Sequence, residues 1–213
     1  VKEGDRMLML CSNGLTCKAL RDQVRQEPHK LHKEKPRAAL IVTSDPIYKE
    51  KNYHVARCLQ ELESLGFSVD LFDFDYQRAE MLLAYDCAEL IGGNPYTLLQ
   101  SLSKSQAQPI LKELAKHHIL IGWSAGALVL GPTIDLIEQY FPEMNTLNLT
   151  DLTGMNLTSR QILPHYHQFL NRDPQYEILC QAYEQDHHCE IIRLSDGEGI
   201  IIDSENDSFI RIQ

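Results

Sequence analysis

The stretch that decides the fold is Ile119-Leu120-Ile121-Gly122-Trp123-Ser124-Ala125-Gly126-Ala127. Ile119–Ile121 reads as a short buried strand. Ala125–Leu130 is small and apolar, as a tightly packed helix start must be. Between them lies Gly122-Trp123-Ser124-Ala125-Gly126, which matches G-x-S-x-G. A serine on so sharp a strand-to-helix turn sits in a strained backbone conformation, so its neighbours two residues away must be nearly free of side chain. The motif therefore predicts a turn at the carboxyl end of a strand, in a chain that alternates strands and helices.

The flanking sequence follows the same alternation. Met7–Cys11, Ala38–Val42, Ser68–Phe72 and Cys87–Ile91 read as strands; Met7–Cys11 is a continuous apolar run, the pattern of a strand buried on both faces, and Ala38–Val42 is a second apolar run. Cys17–Gln26 carries helical spacing, and Val55, Leu59, Leu62 and Leu65 recur at helical steps up to Gly66, a helix-ending residue. Glu80–Tyr85, Thr97–Leu102, Pro109–Lys116 and Gln175–Gln185 read as helical pieces. Cys189–Leu194, Gly199–Ile202 and Ser208–Ile212 read as closing strands, the last pair a hairpin around Glu205-Asn-Asp. Residues 131–160, rich in Thr, Asn and Pro, read as extended loop with short strands, and Gln161–Leu163 as a strand that delivers His165. The expected fold class is α/β, a mainly parallel sheet flanked by helices on both faces. Chemistry in such sheets sits beyond the carboxyl ends of the strands.

The 213 residues fit a single domain, 1–213, with residues 1–6 expected to be in part a processing remnant because Met7 opens the first strand. Thirty acidic against twenty basic residues give a formal charge of −10, which disfavours nucleic acid and anionic membranes as partners. No apolar run approaches the roughly 20 residues of a membrane span. The amino terminus has no apolar signal core, and the six cysteines form no CxxC pair. A cytoplasmic protein with free thiols is expected, as a monomer or homodimer.

Ser124 is the nucleophile candidate. Acyl transfer also needs a base and donors for the developing oxyanion. Gly92-Gly93, at the end of another strand, lets the Gly93 N–H join the Ala125 N–H in an oxyanion hole. Of nine histidines, His29, His32, His117 and His118 read as solvated, and His187-His188-Cys189 as an exposed turn without the spaced partners of a metal site. His165 and His167 follow an apolar stretch, and at a spacing of two on extended chain they face opposite ways, so one of them is the candidate base. A carboxylate must orient that histidine. Asp196 and Glu198, in a glycine-rich turn, are the better candidates, with Asp135 and Glu138 in the unplaced segment. No metal or organic cofactor is called for.

The strings Leu90-Ile-Gly-Gly-Asn-Pro-Tyr-Thr-Leu-Leu99, Ile121-Gly-Trp-Ser-Ala-Gly-Ala127 and Leu163-Pro-His-Tyr166 together resemble the S51 serine peptidases and their peptidase E branch. The resemblance runs from Met7 to the last strand. It implies a fold similar to class I glutamine amidotransferases (a flavodoxin-like three-layer sandwich), with Ser124 as nucleophile, His165 as base and Asp196 or Glu198 as the acid. It also implies hydrolysis of dipeptides with an N-terminal acidic residue. Arg172 falls near the position of the arginine that reads that residue, although the six residues between it and His165 are few. Asn94 and Trp123, inside the motifs, are expected to border the substrate. The alternatives are an S51-like hydrolase of another specificity, an esterase, and a non-catalytic binding module on the same fold. The acid following the histidine in sequence counts against the esterase.

Overall fold

Strand β1, Met7–Cys11, is buried along its whole length, and its side chains divide strictly between two cores. Leu8 and Leu10 join Ala39, Ile41, Leu90 and Leu120 on one face; Met7, Met9 and Cys11 join Ala38, Leu40, Cys87 and Ile121 on the other. That two-residue alternation places a sheet in the middle of the molecule with helices on either side. The computed structural model describes residues 7–26, 34–203 and 205–213. The expectations for residues 1–6 and for His29 and His32 lie outside the described residues.

In chain order the elements are β1, α1 (Lys18–Gln26), β2 (Arg37–Ile41), α2 (Tyr53–Ser64), β3 (Ser68–Phe72), β4 (Cys87–Leu90), α3 (Pro95–Lys104), α4 (Gln108–His117), β5 (Ile119–Trp123), α5 (Ala125–Leu130), α6 (Asp135–Tyr140), β6 (Gln161–Leu163), α7 (Tyr166–Arg172), α8 (Gln175–His187), β7 (Ile191–Arg193), β8 (Gly199–Ile202) and β9 (Phe209–Ile212). The main sheet runs β3-β2-β4-β5-β1-β8-β9. Its first five strands are parallel, and β8 and β9 are antiparallel additions. Helices α1 and α2 cover one face through Leu20, Val24, Val55 and Leu62; α3, α4, α5, α6 and α8 cover the other. This is the expected three-layer α/β sandwich.

Two sequence expectations need correction. The segment 131–160 is not a run of short strands: it holds α6, a short 3-10 turn at Pro142–Met144 and one isolated bridge between Thr133 and Thr153. Six helical residues are less than two turns, too short to display a period. Nor do His165 and His167 lie on extended chain with side chains alternating: residues 166–172 fold as α7, whose seven residues are too few to display a period.

The smaller β6–β7 sheet brings two of the candidate residues together. Its strands are parallel, so residues just beyond their carboxyl ends emerge side by side. Those residues are His165 after β6 and Asp196 after β7. The ladder extends past the strands, with the Leu194 N–H donating to Leu163 O at 2.9 Å and the Tyr166 N–H to Leu194 O at 3.0 Å.

Candidate active site

Ser124 occupies the turn between β5 and α5 with φ 50° and ψ −117°, a conformation that costs a non-glycine residue free energy and persists only where its surroundings enforce it. They do so here. Its N–H donates to Cys11 O of neighbouring β1 at 3.1 Å, and its carbonyl accepts from the Leu128 N–H at 3.0 Å. A Cβ at Gly126 would sit 2.1 Å from Leu90 O, so α5 can approach β4 this closely only because residue 126 has no side chain.

The Ser124 Oγ lies 3.0 Å from His165 Nε2, and His165 Nδ1 lies 2.7 Å from Asp196 Oδ1. His165 takes a left-handed conformation, φ 57° and ψ 23°, immediately before α7. Ser12, at the end of β1, locks that geometry from below. Its hydroxyl accepts the His165 N–H at 2.8 Å and donates to Asp196 Oδ1 at 2.9 Å. The Gln168 amide donates to the other Asp196 oxygen, and Asn13 Oδ1 accepts the Gly197 N–H at 2.9 Å. Burial disfavours a charged Asp196, but the hydrogen bonds from Ser12, His165 and Gln168 outweigh it and hold the carboxyl below the usual carboxylate range. An imidazole held between a hydroxyl and a carboxylate can draw the hydroxyl proton and keep the resulting charge.

Glu198 faces elsewhere. Its Oε2 accepts the Ser195 N–H at 2.8 Å and an Arg211 Nη at 3.1 Å, and so staples the turn that presents Asp196. His167 points away from Ser124 and bonds Ser195 Oγ. Asp135 and Glu138 belong to α6, where they accept the hydroxyls of Tyr183 and Tyr96 respectively.

The Gly92-Gly93 loop lies against the Ser44 backbone at the end of β2, and Gly93 has φ 152°. A Cβ there would meet Ser44 O at 2.7 Å, so the approach and the backbone angle both require glycine. The Gly93 N–H and the Ala125 N–H, at the first position of α5, have no backbone acceptor among the described residues. Asn94, expected to border the substrate, is committed to structure instead. Its Oδ1 caps α3 by accepting from Tyr96 and Thr97 N–H, and its Nδ2 donates to Met144 O at 2.9 Å.

Ser124, His165 and Asp196 border a cavity of about 600 Å³ that also takes in Trp123, Arg57 and His54. Trp123 lies almost wholly buried among the residues that line the cavity. Arg172 is exposed at the end of α7 and does not line this cavity. The cation that does is Arg57 of α2. Its guanidinium lies over the Trp123 ring, 5.2 Å from its centroid, and donates to Asn13 O at 3.0 Å. His54 packs edge-on against Trp123, and burial, then the Arg57 and His165 charges, push its pKa down. Sequence reasoning missed Arg57, His54, Ser12 and Gln168. Among the described residues no group of three or more His, Cys, Asp or Glu side chains is arranged to hold a metal ion, and no helix is long and apolar enough to cross a membrane. All six cysteines are free thiols.

Comparison with known proteins gives this arrangement a family. Residues 8–210 match peptidase family S51. The chain belongs to that family. The uncharacterized peptidase Lmo0363 of Listeria monocytogenes is 32% identical over 160 residues, 72% of this chain and 76% of the relative. A peptidase E of Pasteurella multocida is 31% identical over 107 residues, 48% of this chain and 44% of that protein. A crystal structure from Listeria monocytogenes EGD-e named for peptidase E superposes with a TM-score of 0.71 at 27% identity, over 98% of both chains. A peptidase from an acI-B1 actinobacterium shares the fold, with a TM-score of 0.70 at 18% identity over 97% of this chain and 87% of that one. The S51 chain is thus a peptidase with the flavodoxin-like, class I glutamine amidotransferase-like fold that its sequence led one to expect.

Proposed function

We propose that this S51 protein is a serine-type peptidase that hydrolyses short peptides, with preference for an acidic residue at the substrate's amino terminus. The observation that carries the reading is the continuous chain of contacts from Ser124 Oγ through His165 to Asp196, at 3.0 Å and 2.7 Å. The Asp196 carboxylate fixes the tautomer with hydrogen on Nδ1, leaving Nε2 free to accept the Ser124 proton. As Oγ bonds to the scissile carbonyl carbon, that proton passes to Nε2, and the carbonyl oxygen gains negative charge against the Gly93 and Ala125 N–H groups. Collapse of the tetrahedral species breaks the C–N bond while Nε2 returns the proton to the leaving amine. Water, deprotonated by the same nitrogen, then releases the acid product and restores Ser124. Ser12 and Gln168 keep Asp196 ionised and aligned throughout.

Acidic preference requires a cation beside the nucleophile, and Arg57 supplies it. A guanidinium suits bidentate carboxylate recognition, and stacking on Trp123 fixes its plane. The test is hydrolysis of dipeptides carrying Asp, Glu, Leu or Lys at the first position, with Ser124→Ala as control. Arg57→Met should lower kcat/KM on the Asp substrates about 30-fold, the low end of the loss for a hydrogen-bonded charge pair, because the side chain is only half-buried. Arg172→Met should leave it within about twofold. Loss in the Arg172 variant with none in the Arg57 variant would overturn the assignment of the cation, and full activity in Ser124→Ala would overturn the mechanism.

A further inference from the structure

Ser124 and His165 also border a second cavity, of about 200 Å³, which shares only Gly93, Ser124 and His165 with the first. Its chemistry is opposite to that of the first. Apart from Ser124 and His165, every lining side chain is apolar, and the walls are Leu128, Ile137, Phe141, Met144 and Phe169. Leu128 and Ile137 are buried, whereas Phe141, Met144 and Phe169 keep part of their surface open. Apolar surface left open costs free energy that close packing would recover, and beside a reactive hydroxyl it has a use.

The walls are also held in place. The Asn94 amide ties Met144 O to the Gly93 loop at 2.9 Å, and the Tyr96 hydroxyl reaches Glu138 Oε2 of α6 at 2.6 Å. The Tyr140 hydroxyl lies 3.1 Å from Tyr176 O, and the Phe141 and Phe169 rings pack with centroids 5.3 Å apart. Segment 135–145 is therefore joined to the same loop that offers the Gly93 N–H. This explains why Asn94 caps a helix with one end of its amide and straps a loop with the other.

We propose that the cavity walled by Leu128, Ile137, Phe141, Met144 and Phe169 is a second substrate subsite that takes one large apolar side chain, so that the enzyme reads an acidic–apolar pair of residues rather than an acidic residue alone. The proposal rests on the peptidase reading above. A dipeptide attacked at Ser124 projects one side chain to each side of the scissile bond. With the acidic side chain at Arg57, the residue that follows it faces the apolar walls. A leucine or phenylalanine there removes apolar surface of both partners from water, and glycine or serine does not.

The test compares kcat/KM for Asp-Leu and Asp-Phe with Asp-Gly and Asp-Ser, in the intact protein and in Phe141→Ala and Met144→Ala. Neither of these side chains takes part in the hydrogen bonds that join Ser124, His165 and Asp196. The ratio between substrates cancels any loss common to both. The wild-type protein should favour Asp-Leu and Asp-Phe by about tenfold or more, the usual worth of filling an apolar pocket, and each variant should cut that ratio at least about threefold. Comparable hydrolysis of Asp-Leu and Asp-Gly would overturn the subsite and leave the peptidase reading standing. So would a preference that neither variant changes. Hydrolysis of none of the four, with Ser124 unreactive toward a phosphonofluoridate, would defeat the peptidase reading and the subsite with it.

Discussion

Replacing Glu89 with glutamine should shift stability progressively in the variant's favour as pH rises above 5. Glu89 sits in the middle of β4, fully buried, and neither carboxyl oxygen has a geometrically good hydrogen-bond partner. The charged and titratable groups around it are Glu61, Arg57, Cys58, Cys11 and Cys87, with the Trp123 indole beside it. Burial is the largest influence and the Glu61 charge adds to it; Arg57, Trp123 and Cys58 oppose them, and the outcome is a pKa pushed up to about 8. Between the ordinary glutamate value and pH 8 the folded protein holds a proton that the unfolded chain has released. The native state binds more protons in that window, so stability falls as pH rises through it. At 1.36 kcal/mol per unit the whole window is worth about 5 kcal/mol, and the two units from pH 5 to pH 7 about 3 kcal/mol. Glutamine has no such proton to hold, so the stability gap between Glu89→Gln and wild type should widen by about 3 kcal/mol from pH 5 to pH 7. Urea denaturation followed by the fluorescence of Trp123, the single tryptophan, measures this directly. Denaturation profiles that keep a constant gap across that range would refute the reasoning, because they would mean that Glu89 is ionised in the folded protein at pH 7.

Two further outcomes follow from the geometry. Gly126→Ala should destabilise the fold by about 3 kcal/mol or more, because its Cβ would lie 2.1 Å from Leu90 O and neither backbone can yield without moving α5 off β4; a thermal midpoint within 2 °C of wild type, the low end of the shift for about 1 kcal/mol in a chain of this size, would contradict it. Asp196→Asn should retain the fold and lower kcat by about 10⁴-fold, since an amide at that position favours the wrong imidazole tautomer; a loss below tenfold would exclude Asp196 as the orienting group.

The sheet was legible because its strands are buried on both faces, which writes Met7–Cys11, Ala38–Val42 and Cys87–Ile91 as nearly unbroken apolar runs. The Ser124 turn was legible because its sterics dictate the glycines around it. The base was narrowed to His165 or His167 by the apolar stretch before them, and the resemblance selected His165, the one that lies against Ser124; the alternation expected of extended chain does not apply, because residues 166–172 are helical. What stayed hidden depended on which ends of the elements the topology brings together. Arg57 lies off the apolar stripe Val55, Leu59, Leu62, Leu65 and looks like any solvated helix residue until α2 is seen to end its first turn beside Trp123. Arg172 was drawn toward the site by its sequence distance from His165, yet those six residues wind into α7 and carry it outward. Asn94 did carry a readable signal, since asparagine followed by proline at a helix start is a capping pattern. The choice between Asp196 and Glu198 turned on how a single turn is folded, a matter of side-chain direction that spacing does not encode.

The central claim is that His165 activates the Ser124 hydroxyl. The most direct measurement is reaction of the intact protein with a phosphonofluoridate, with the modified residue located by mass spectrometry, in wild type, Ser124→Ala and His165→Ala. The account predicts one equivalent of label on Ser124 in the wild-type protein and none there in either variant. Label that is absent from wild type, or that reaches Ser124 as fast without His165, would contradict it.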